Sequence, residues 1–150
     1  MAFQPKDPDF HNRVRASFDR QVAMQTLGIE ITALEAGEIE LAMPYATALT
    51  QQHGFLHAGI VTTGLDSACG YAAFSLMPRD AAVLSVEFKV NLLAPARGER
   101  FLFRSSVVKP GRTIFVCDAR AFAVDSGEEK LVATMTGTMM ALYDRPGIHH

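Results

Sequence analysis

The hydrophobic and polar residues of this chain repeat with two different periods, and the helical period is clearest in the middle. Apolar residues lie on every side of a helix drawn from His57 to Met77, and Asp66 is the only charged residue between Ala58 and Met77. A helix that is apolar all round is a buried helix. The sequence therefore predicts one long buried central helix, which Pro78 ends.

The predicted central helix is also rich in small residues, among them two internal glycines. Inside a helix, a glycine such as Gly64 or Gly70 lowers helix stability by about 1 kcal/mol relative to alanine. A protein tolerates that cost where another part of the structure must come close. We therefore expect a neighbouring backbone to approach the helix at these two positions.

On either side of this helix the pattern changes to the alternation of period two that is typical of half-buried strands. The upstream part contains a predicted amphipathic helix at 8–26 and a hairpin at 29–43. The downstream part contains four predicted strands, at 82–93, 101–109, 113–124 and 130–143. Because short turns and no helices join these strands, they are expected to pair in an antiparallel manner.

These elements predict an α+β fold in which an antiparallel sheet of about six strands wraps around one long central helix. The chain is expected to form one domain, 1–150, with residues 1–26 as an N-terminal helical arm. Two cysteines, Cys69 and Cys117, are too few for a disulfide framework. We therefore expect both to be free thiols in the core.

Charge and hydropathy exclude several classes of function. A net charge of −2 gives no electrostatic basis for binding nucleic acid. No apolar run reaches the ~18–20 residues of a membrane span, and the first residues lack the apolar segment of a signal peptide. We therefore expect a cytoplasmic protein that binds neither nucleic acid nor a membrane.

Asp66 is the first candidate for a functional residue, because it is the single charge in an apolar helix. An unpaired carboxylate is costly to bury, so it gains either a proton or a specific partner. Carboxylates in such surroundings are frequent at active sites. The alternative is an aspartate that faces solvent, as most aspartates do.

The turn His57-Ala58-Gly59, where the helix begins, supplies a second chemical element. The first N–H groups of a helix have no partner within it and lie at the positive end of its dipole. The N–H of Ala58 or Gly59 is therefore a candidate to stabilise an oxyanion that develops on a carbonyl. Gly54 and Gly59 would let a substrate come close.

The carboxylate and the helix-start amides are too far apart to act together on one carbon atom within a single chain. Asp66 follows Ala58 by eight residues, which is a rise of about 12 Å along a helix. If both groups are catalytic, the carboxylate must come from a second copy related by a twofold axis. On that condition the sequence predicts an obligate dimer with two shared sites.

Two further features concern metal and phosphate binding. His53 and His57 have the spacing of zinc ligands on a helix, but Gly54 lies between them and no glutamate follows His53, so we expect no metal site. His57 is instead expected to shape the turn or to contact a substrate carbonyl. The turn from Lys109 to Thr113 carries two cations and is either a solvated hairpin or a site for phosphates.

Three sequence blocks together resemble a known family. They are Q-Q-H-G-F-L-H-A-G with Asp66 seven residues after Gly59, then S-V-E-F-K-V-N-L-L-A-P-A, and V-V-K-P-G-R-T. Over residues 28 to 142 the chain resembles the hotdog-fold acyl-CoA thioesterases of the PaaI (phenylacetate-degradation) type. The resemblance implies a hotdog fold and hydrolysis of an acyl- or aryl-acyl-CoA to the free acid and CoA. It implies no cofactor, because coenzyme A is part of the substrate.

The resemblance also implies individual roles. Asp66 matches the acidic residue of the family, as general base or nucleophile. His57-Ala58-Gly59 matches its H-G-G turn, whose first glycine is Ala58 here, so that the amide is kept and an added methyl narrows the approach. Gln51, or alternatively Gln52, matches its amide side chain, and Ser85 matches its hydroxyl. The residues implied to bind the CoA portion are Lys109, Gly111, Arg112 and Thr113.

Other functions and arrangements remain open at this point. A non-catalytic acyl-CoA-binding or sensing module would keep the pocket and the dimer without needing a base. A hydratase or dehydratase would need acid–base groups at the α and β carbons of the acyl chain. The assembly is expected to be a dimer or a dimer of dimers. Candidates to line an apolar acyl tunnel, or simply the core, are Phe55, Leu56, Phe74, Met139 and Met140.

Overall fold

The computed structural model describes residues 2–148, so that Met1, His149 and His150 of the predicted domain lie outside the described residues. It has two helices in the N-terminal arm and one long central helix, with two strands before the central helix and four strands after it. In chain order the elements are α1 Phe10–Arg20, α2 Val22–Leu27, β1 Glu30–Glu35, β2 Glu38–Pro44, a 3₁₀ turn Thr47–Leu49, α3 Ala58–Leu76, β3 Ala82–Leu92, β4 Arg100–Lys109, β5 Ile114–Asp125 and β6 Glu128–Leu142.

The strands form one antiparallel sheet in the order β1-β2-β4-β5-β6-β3, with β1 and β3 at its two edges. The central helix α3 contacts every strand from β2 to β6. Most of its residues are buried, and they form one hydrophobic core with the inner face of the sheet. The predicted α+β architecture, with six strands and one long central helix, is confirmed.

The two glycines inside α3 have different surroundings. A Cβ atom added to Gly64 would lie 2.4 Å from the ring of Phe103 on β4, so the helix and the sheet could not approach as they do with alanine there. The expected close approach is therefore real at Gly64, but the neighbour is an aromatic ring and not a backbone. At Gly70, apart from its chain neighbours and the nearby backbone of α3 itself, no atom of the described residues lies within 4 Å of an added Cβ, so the expectation is wrong there within one chain.

The two cysteines are free and fully buried, as predicted. Burial raises the pKa of Cys69 to about 12, although a contact with Ser105 acts in the opposite direction. A thiol with such a pKa stays protonated at neutral pH and is a poor nucleophile. Cys69 therefore belongs to the core and not to the chemistry of the protein.

The N-terminal arm consists of two helices, and the prediction of one continuous helix at 8–26 is wrong. The backbone is extended at Gln21, between α1 and α2. This break ends the predicted apolar stripe, because Val14 and Phe18 are buried whereas Val22 is 68% exposed. Met24 is buried in place of Val22.

Arg13 fastens the arm to the C-terminal end of α3. Its guanidinium donates hydrogen bonds to the carbonyl oxygens of Phe74 and Met77, at 3.0 and 2.7 Å, and it lies over the Phe74 ring. It also pairs with Asp7 at 2.8 Å. Burial by itself raises the pKa of Asp7, but the Asp9 N–H, Arg13 and Arg79 together lower it below its ordinary value.

We expect Arg13→Ala to lower the free energy of unfolding by about 2 kcal/mol, because two carbonyl oxygens at the end of α3 lose their donor. Arg13→Lys should recover only part of the loss, since lysine lacks the planar fork that reaches both carbonyls. Because the pKa of Asp7 is lowered on folding, its contribution is present at neutral pH and is lost as the pH falls through that lowered pKa. Chemical denaturation at pH 7 and pH 3 measures both effects, and an Arg13→Ala protein as stable as wild type at pH 7 would contradict them.

The edge strand β3 differs from the half-buried strand that its sequence predicts. Almost all of it is exposed, including four large apolar residues: Leu84 at 48%, Val86 at 55%, Phe88 at 41% and Leu92 at 55%. The register with β6 shifts between Ser85 and Glu87. This bulge changes the alternation, so that Ser85 and Phe88 both lie on the side of the sheet that faces α3.

Candidate functional site

Asp66 has one partner, the hydroxyl of Ser85, which donates to Asp66 Oδ1 at 2.7 Å. The other carboxylate oxygen accepts no hydrogen bond from the described residues. Asp66 is only half-buried in the single chain, so the expectation of an enclosed carboxylate is wrong for one copy of the protein. The sequence did not predict this contact, which the β3 bulge makes possible.

Ser85 therefore orients Asp66, and we expect its removal to slow any reaction in which this carboxylate takes part. Ser85→Ala should lower kcat by about 10-fold and leave KM nearly unchanged, because one hydrogen bond to a charged group is lost. Ser85→Thr keeps the hydroxyl and should restore most of the rate. Steady-state kinetics on the two variants check this, and an alanine variant with the wild-type kcat would show that Ser85 has no positioning role.

The N-terminus of α3 offers one amide and not two. The Nδ1 atom of His57 accepts a hydrogen bond from Gly59 N–H at 2.9 Å and so caps the helix. The N–H groups of Ile60 and Val61 both donate to the carbonyl oxygen of His57. The N–H of Ala58 makes no hydrogen bond with the described residues, so it is the candidate oxyanion donor, and Gly59, the other predicted donor, is not.

The same contact fixes the tautomer of His57. A neutral imidazole whose Nδ1 accepts a hydrogen bond carries its proton on Nε2. His57 therefore presents a donor at its outer nitrogen and cannot act as a base through Nδ1. This leaves Asp66 as the candidate base or nucleophile.

Gln51 lies at the start of the loop that leads into α3. Its side-chain oxygen accepts a hydrogen bond from His53 N–H within the same turn, which leaves the side-chain NH₂ available. Gln51 lines a cavity together with Ala58, whereas Gln52 does not line it and is exposed. Gly54 adopts a left-handed conformation with φ 83°, so this glycine is needed for the turn itself, whatever room it leaves for a substrate.

The cationic turn lies at the end of the sheet that also holds Ser85. Lys109 ends β4, and Arg112 precedes β5 with both side chains exposed. A Cβ atom added to Gly111 would lie 2.2 Å from the carbonyl oxygen of Ile114, so glycine is required for this tight turn. Thr113 accepts a hydrogen bond at its carbonyl oxygen from Ala141 N–H. The turn is therefore hydrogen-bonded to β6 at its base and charged at its tip.

The structure holds these groups at separate places along α3 and β3. Asp66 and Ser85 lie together near one end of β3, whereas Ala58 lies beside Leu92 at the other end. Because α3 is continuous from Ala58 to Leu76, Ala58 and Asp66 are separated by about 12 Å along the helix axis. One chain therefore does not bring the free amide and the carboxylate to the same atom.

Within residues 2–148, no three His, Cys, Asp or Glu side chains are grouped as a metal ion would require. The helices of this part of the chain are also too short or too polar to cross a membrane.

This fold is that of a hotdog-fold thioesterase. Residues 53–130 match the family described as the Thioesterase superfamily, and the chain belongs to that family. It is 65% identical to a thioesterase family protein from Silicibacter pomeroyi, whose crystal structure has a TM-score of 0.89 over 89% of this chain and 98% of that one. The expected thioesterase activity is confirmed at the level of the family, and so is the hotdog fold.

Two more distant proteins are also similar. The Escherichia coli PaaI protein from the phenylacetic acid degradation operon has a TM-score of 0.80 at 20% identity, over 89% of this chain and 94% of that one, which supports the PaaI-like fold. Escherichia coli YigI, named a medium/long-chain acyl-CoA thioesterase, is 24% identical over 131 residues, covering 77% of this chain and 83% of that protein.

Proposed function

We propose that this protein hydrolyses an acyl-CoA or aryl-acyl-CoA thioester to the free acid and CoA. The observation that carries this proposal is the hydrogen bond from Ser85 to Asp66, which holds one oxygen of a carboxylate and leaves the other free. Membership in the thioesterase family, and the name of YigI, support a CoA thioester as the substrate.

The reaction uses two groups of the protein directly. The thioester carbonyl oxygen accepts a hydrogen bond from Ala58 N–H, which becomes stronger as negative charge develops on that oxygen. The free oxygen of Asp66 takes a proton from a water molecule while the water oxygen bonds to the carbonyl carbon. The tetrahedral intermediate then breaks its C–S bond, and the leaving CoA thiolate takes up the proton that Asp66 had accepted from water, which restores the carboxylate. Alternatively Asp66 attacks the carbonyl carbon, the C–S bond breaks as the CoA thiolate leaves, and water then hydrolyses the resulting mixed anhydride to the free acid and the Asp66 carboxylate.

We infer that Asp66 and Ala58 of one site come from two copies of the chain. The two groups are too far apart in one copy, and β3 is an exposed edge strand with apolar side chains. Such an edge is a template for pairing with another strand. Pairing of β3 with its twofold copy, with Ser85 opposite Leu92, would bring the Asp66 of one copy beside the Ala58 of the other.

The open space beside Gly70 supports the same arrangement. Gly70 is four residues after Asp66 and therefore on the same side of α3. Apart from its chain neighbours and the nearby backbone of α3, no described residue comes within 4 Å of an added Cβ there, so the missing neighbour of this glycine is expected to belong to the second copy. A further pairing of dimers into a tetramer remains a proposal of the same kind.

The CoA portion is expected to bind at the cationic turn. Lys109 and Arg112 form no ion pair with the described residues, so both charges are available to phosphate groups. The close backbone approach at Gly111 and the hydrogen bond at the Thr113 carbonyl help to place the two side chains.

A panel of acyl-CoA thioesters tests this function, with release of free thiol and binding of each thioester measured in parallel. We expect free thiol in a stoichiometric ratio to the free acid. Tight binding without turnover would instead assign a non-catalytic binding module. Absence of both hydrolysis and binding would overturn the proposal, and release of a hydrated product without free thiol would assign a hydratase.

A further inference from the structure

One buried side chain of the core, Met139, lies directly beneath the hydroxyl that orients Asp66. The Sδ atom of Met139 is 3.4 Å from Ser85 Oγ. The two residues are paired across β6 and β3, and Met139 is fully buried on the inner face of the sheet. The same hydroxyl donates to Asp66 Oδ1 at 2.7 Å. The Ser85 oxygen is therefore held between a carboxylate and a thioether.

The burial of Met139 decides between the two positions that its sequence left open, an acyl tunnel and the core. Of the five residues concerned, Phe55 and Leu56 line the cavity beside the start of α3, and Met140 lies on the outer face of the sheet. Phe74 and Met139 belong to the core. Because Met139 is enclosed within one chain, any effect that it has on a reaction must pass through a neighbouring side chain.

The glycine at position 137 leaves the room that the long side chain of Met139 needs. A Cβ atom added to Gly137 would lie 2.9 Å from the methyl carbon of Met139 and 3.4 Å from Cys69 Sγ. Cys69 follows Asp66 by three residues, so the two are neighbours on the surface of α3. The end of the Met139 side chain therefore lies between β6 and the part of α3 that carries Asp66.

Ser85 depends on such a contact because little else restricts it. It is exposed on the edge strand β3. A serine side chain has three staggered χ1 rotamers, and its hydroxyl reaches a given partner in only one of them. A thioether is a weak acceptor, so Met139 does not compete with the carboxylate for the hydroxyl proton. Contact on the inner side thus restricts the rotamer while the proton stays with Asp66.

We propose that Met139 is a positioning residue for thioester hydrolysis, which holds the Ser85 hydroxyl in the rotamer that donates to Asp66. The proposal rests on the proposed function, because it concerns the same carboxylate. All three residues belong to one copy of the chain. A second copy can cover this contact but supplies no part of it.

Met139→Ala should lower kcat by about fivefold and leave KM nearly unchanged, because the Ser85 hydroxyl gains space to turn towards the core. In a Ser85→Ala background the same change should lower kcat no further, since the two residues act as one unit. Met139→Leu refills most of the volume and should restore the rate. A wild-type kcat in Met139→Ala, or a loss that persists in the Ser85→Ala background, would overturn the positioning role.

Met43→Ala is the matched control for the loss of a buried methionine. Met43 is also fully buried, but it lies on β2, and three strands separate β2 from β3. This variant should be destabilised to a similar extent and keep the wild-type kcat. If Met139→Ala fails to fold, Met139→Val removes the thioether with a smaller loss of volume and takes its place in the same comparisons.

A crystal structure of Met139→Ala separates this proposal from the proposed function, because it needs no turnover. We expect Ser85 Oγ to be turned away from Asp66, beyond hydrogen-bonding distance, and to keep its hydrogen bond in Met139→Leu. If no acyl-CoA is hydrolysed, the proposed function fails, and this structure still decides whether Met139 holds the hydroxyl. An unchanged hydrogen bond from Ser85 to Asp66 in Met139→Ala would overturn the role of Met139 alone.

Discussion

Asp66→Asn should lower kcat for thioester hydrolysis by about 10³-fold and leave the fold intact. Asparagine has the same shape, and its side-chain oxygen can still accept the hydrogen bond from Ser85, which donates at 2.7 Å in the wild-type protein. What it loses is the negative charge and the basic oxygen. The change should therefore appear in kcat, measured with a saturating thioester, and hardly in the melting temperature.

Asp118→Asn is a matched control for this experiment. Asp118, like Asp66, accepts one hydrogen bond from a hydroxyl, that of Thr136 at 3.1 Å, but it is exposed and lies on the outer face of the sheet. This variant should keep the wild-type rate. If Asp66→Asn also kept it, the carboxylate would be neither base nor nucleophile.

Ala58→Pro should lower kcat by about 10²–10³-fold, because it removes the single N–H proposed to stabilise the oxyanion. Proline is well tolerated at the first residue of a helix, where its ring suits the backbone and no helical hydrogen bond is lost. The preceding residue, His57, has φ −61° and ψ 137°, which is a conformation allowed before proline. The substitution therefore deletes one hydrogen-bond donor with little change in the backbone.

Two controls separate the loss of the amide from other effects of proline. Val22→Pro places proline at the first residue of α2, far from the site, and should leave the rate unchanged. Ala58→Gly keeps the N–H and should stay within a few-fold of wild type. A full rate in Ala58→Pro, with circular dichroism showing intact helices, would mean that another donor binds the carbonyl oxygen.

The sequence predicted the architecture well because its elements differ clearly in period. The apolar stretch containing Asp66 indicated a buried helix, and the helix runs from Ala58 to Leu76, within the predicted bounds of His57 to Met77. The alternation after Pro78 indicated strands, and short turns left antiparallel pairing as the simple solution. These features depend only on the spacing of apolar and polar residues along the chain, which can be read directly from the sequence.

The features that sequence could not supply depend on contacts between distant residues. The bulge in β3 follows from its pairing with β6, and without it Ser85 and Phe88 would lie on opposite faces. The break at Gln21 puts Met24 into the core in place of Val22, which the continuous apolar stripe did not indicate. The hydrogen bond between His57 and Gly59 is local, and the histidine at the N-cap position was a signal that could have shown which amide remains free.

The candidate site was therefore predicted in part. Asp66 and the turn at Ala58 stood out because a single charge and a helix start are visible in a sequence. The burial of Asp66 was predicted wrongly, since one chain leaves it half-exposed. Its apolar surroundings in the sequence agree with an enclosed site only if a second copy covers this face.

The most direct test of the shared site combines two inactive variants in one dimer. A heterodimer of Asp66→Asn and Ala58→Pro chains, isolated with two affinity tags, has one site with both groups intact and one site with neither. We expect it to recover about half of the wild-type activity per dimer, whereas each variant alone stays inactive. A heterodimer as inactive as its parents, or a wild-type monomer with full activity, would contradict a site built from two chains.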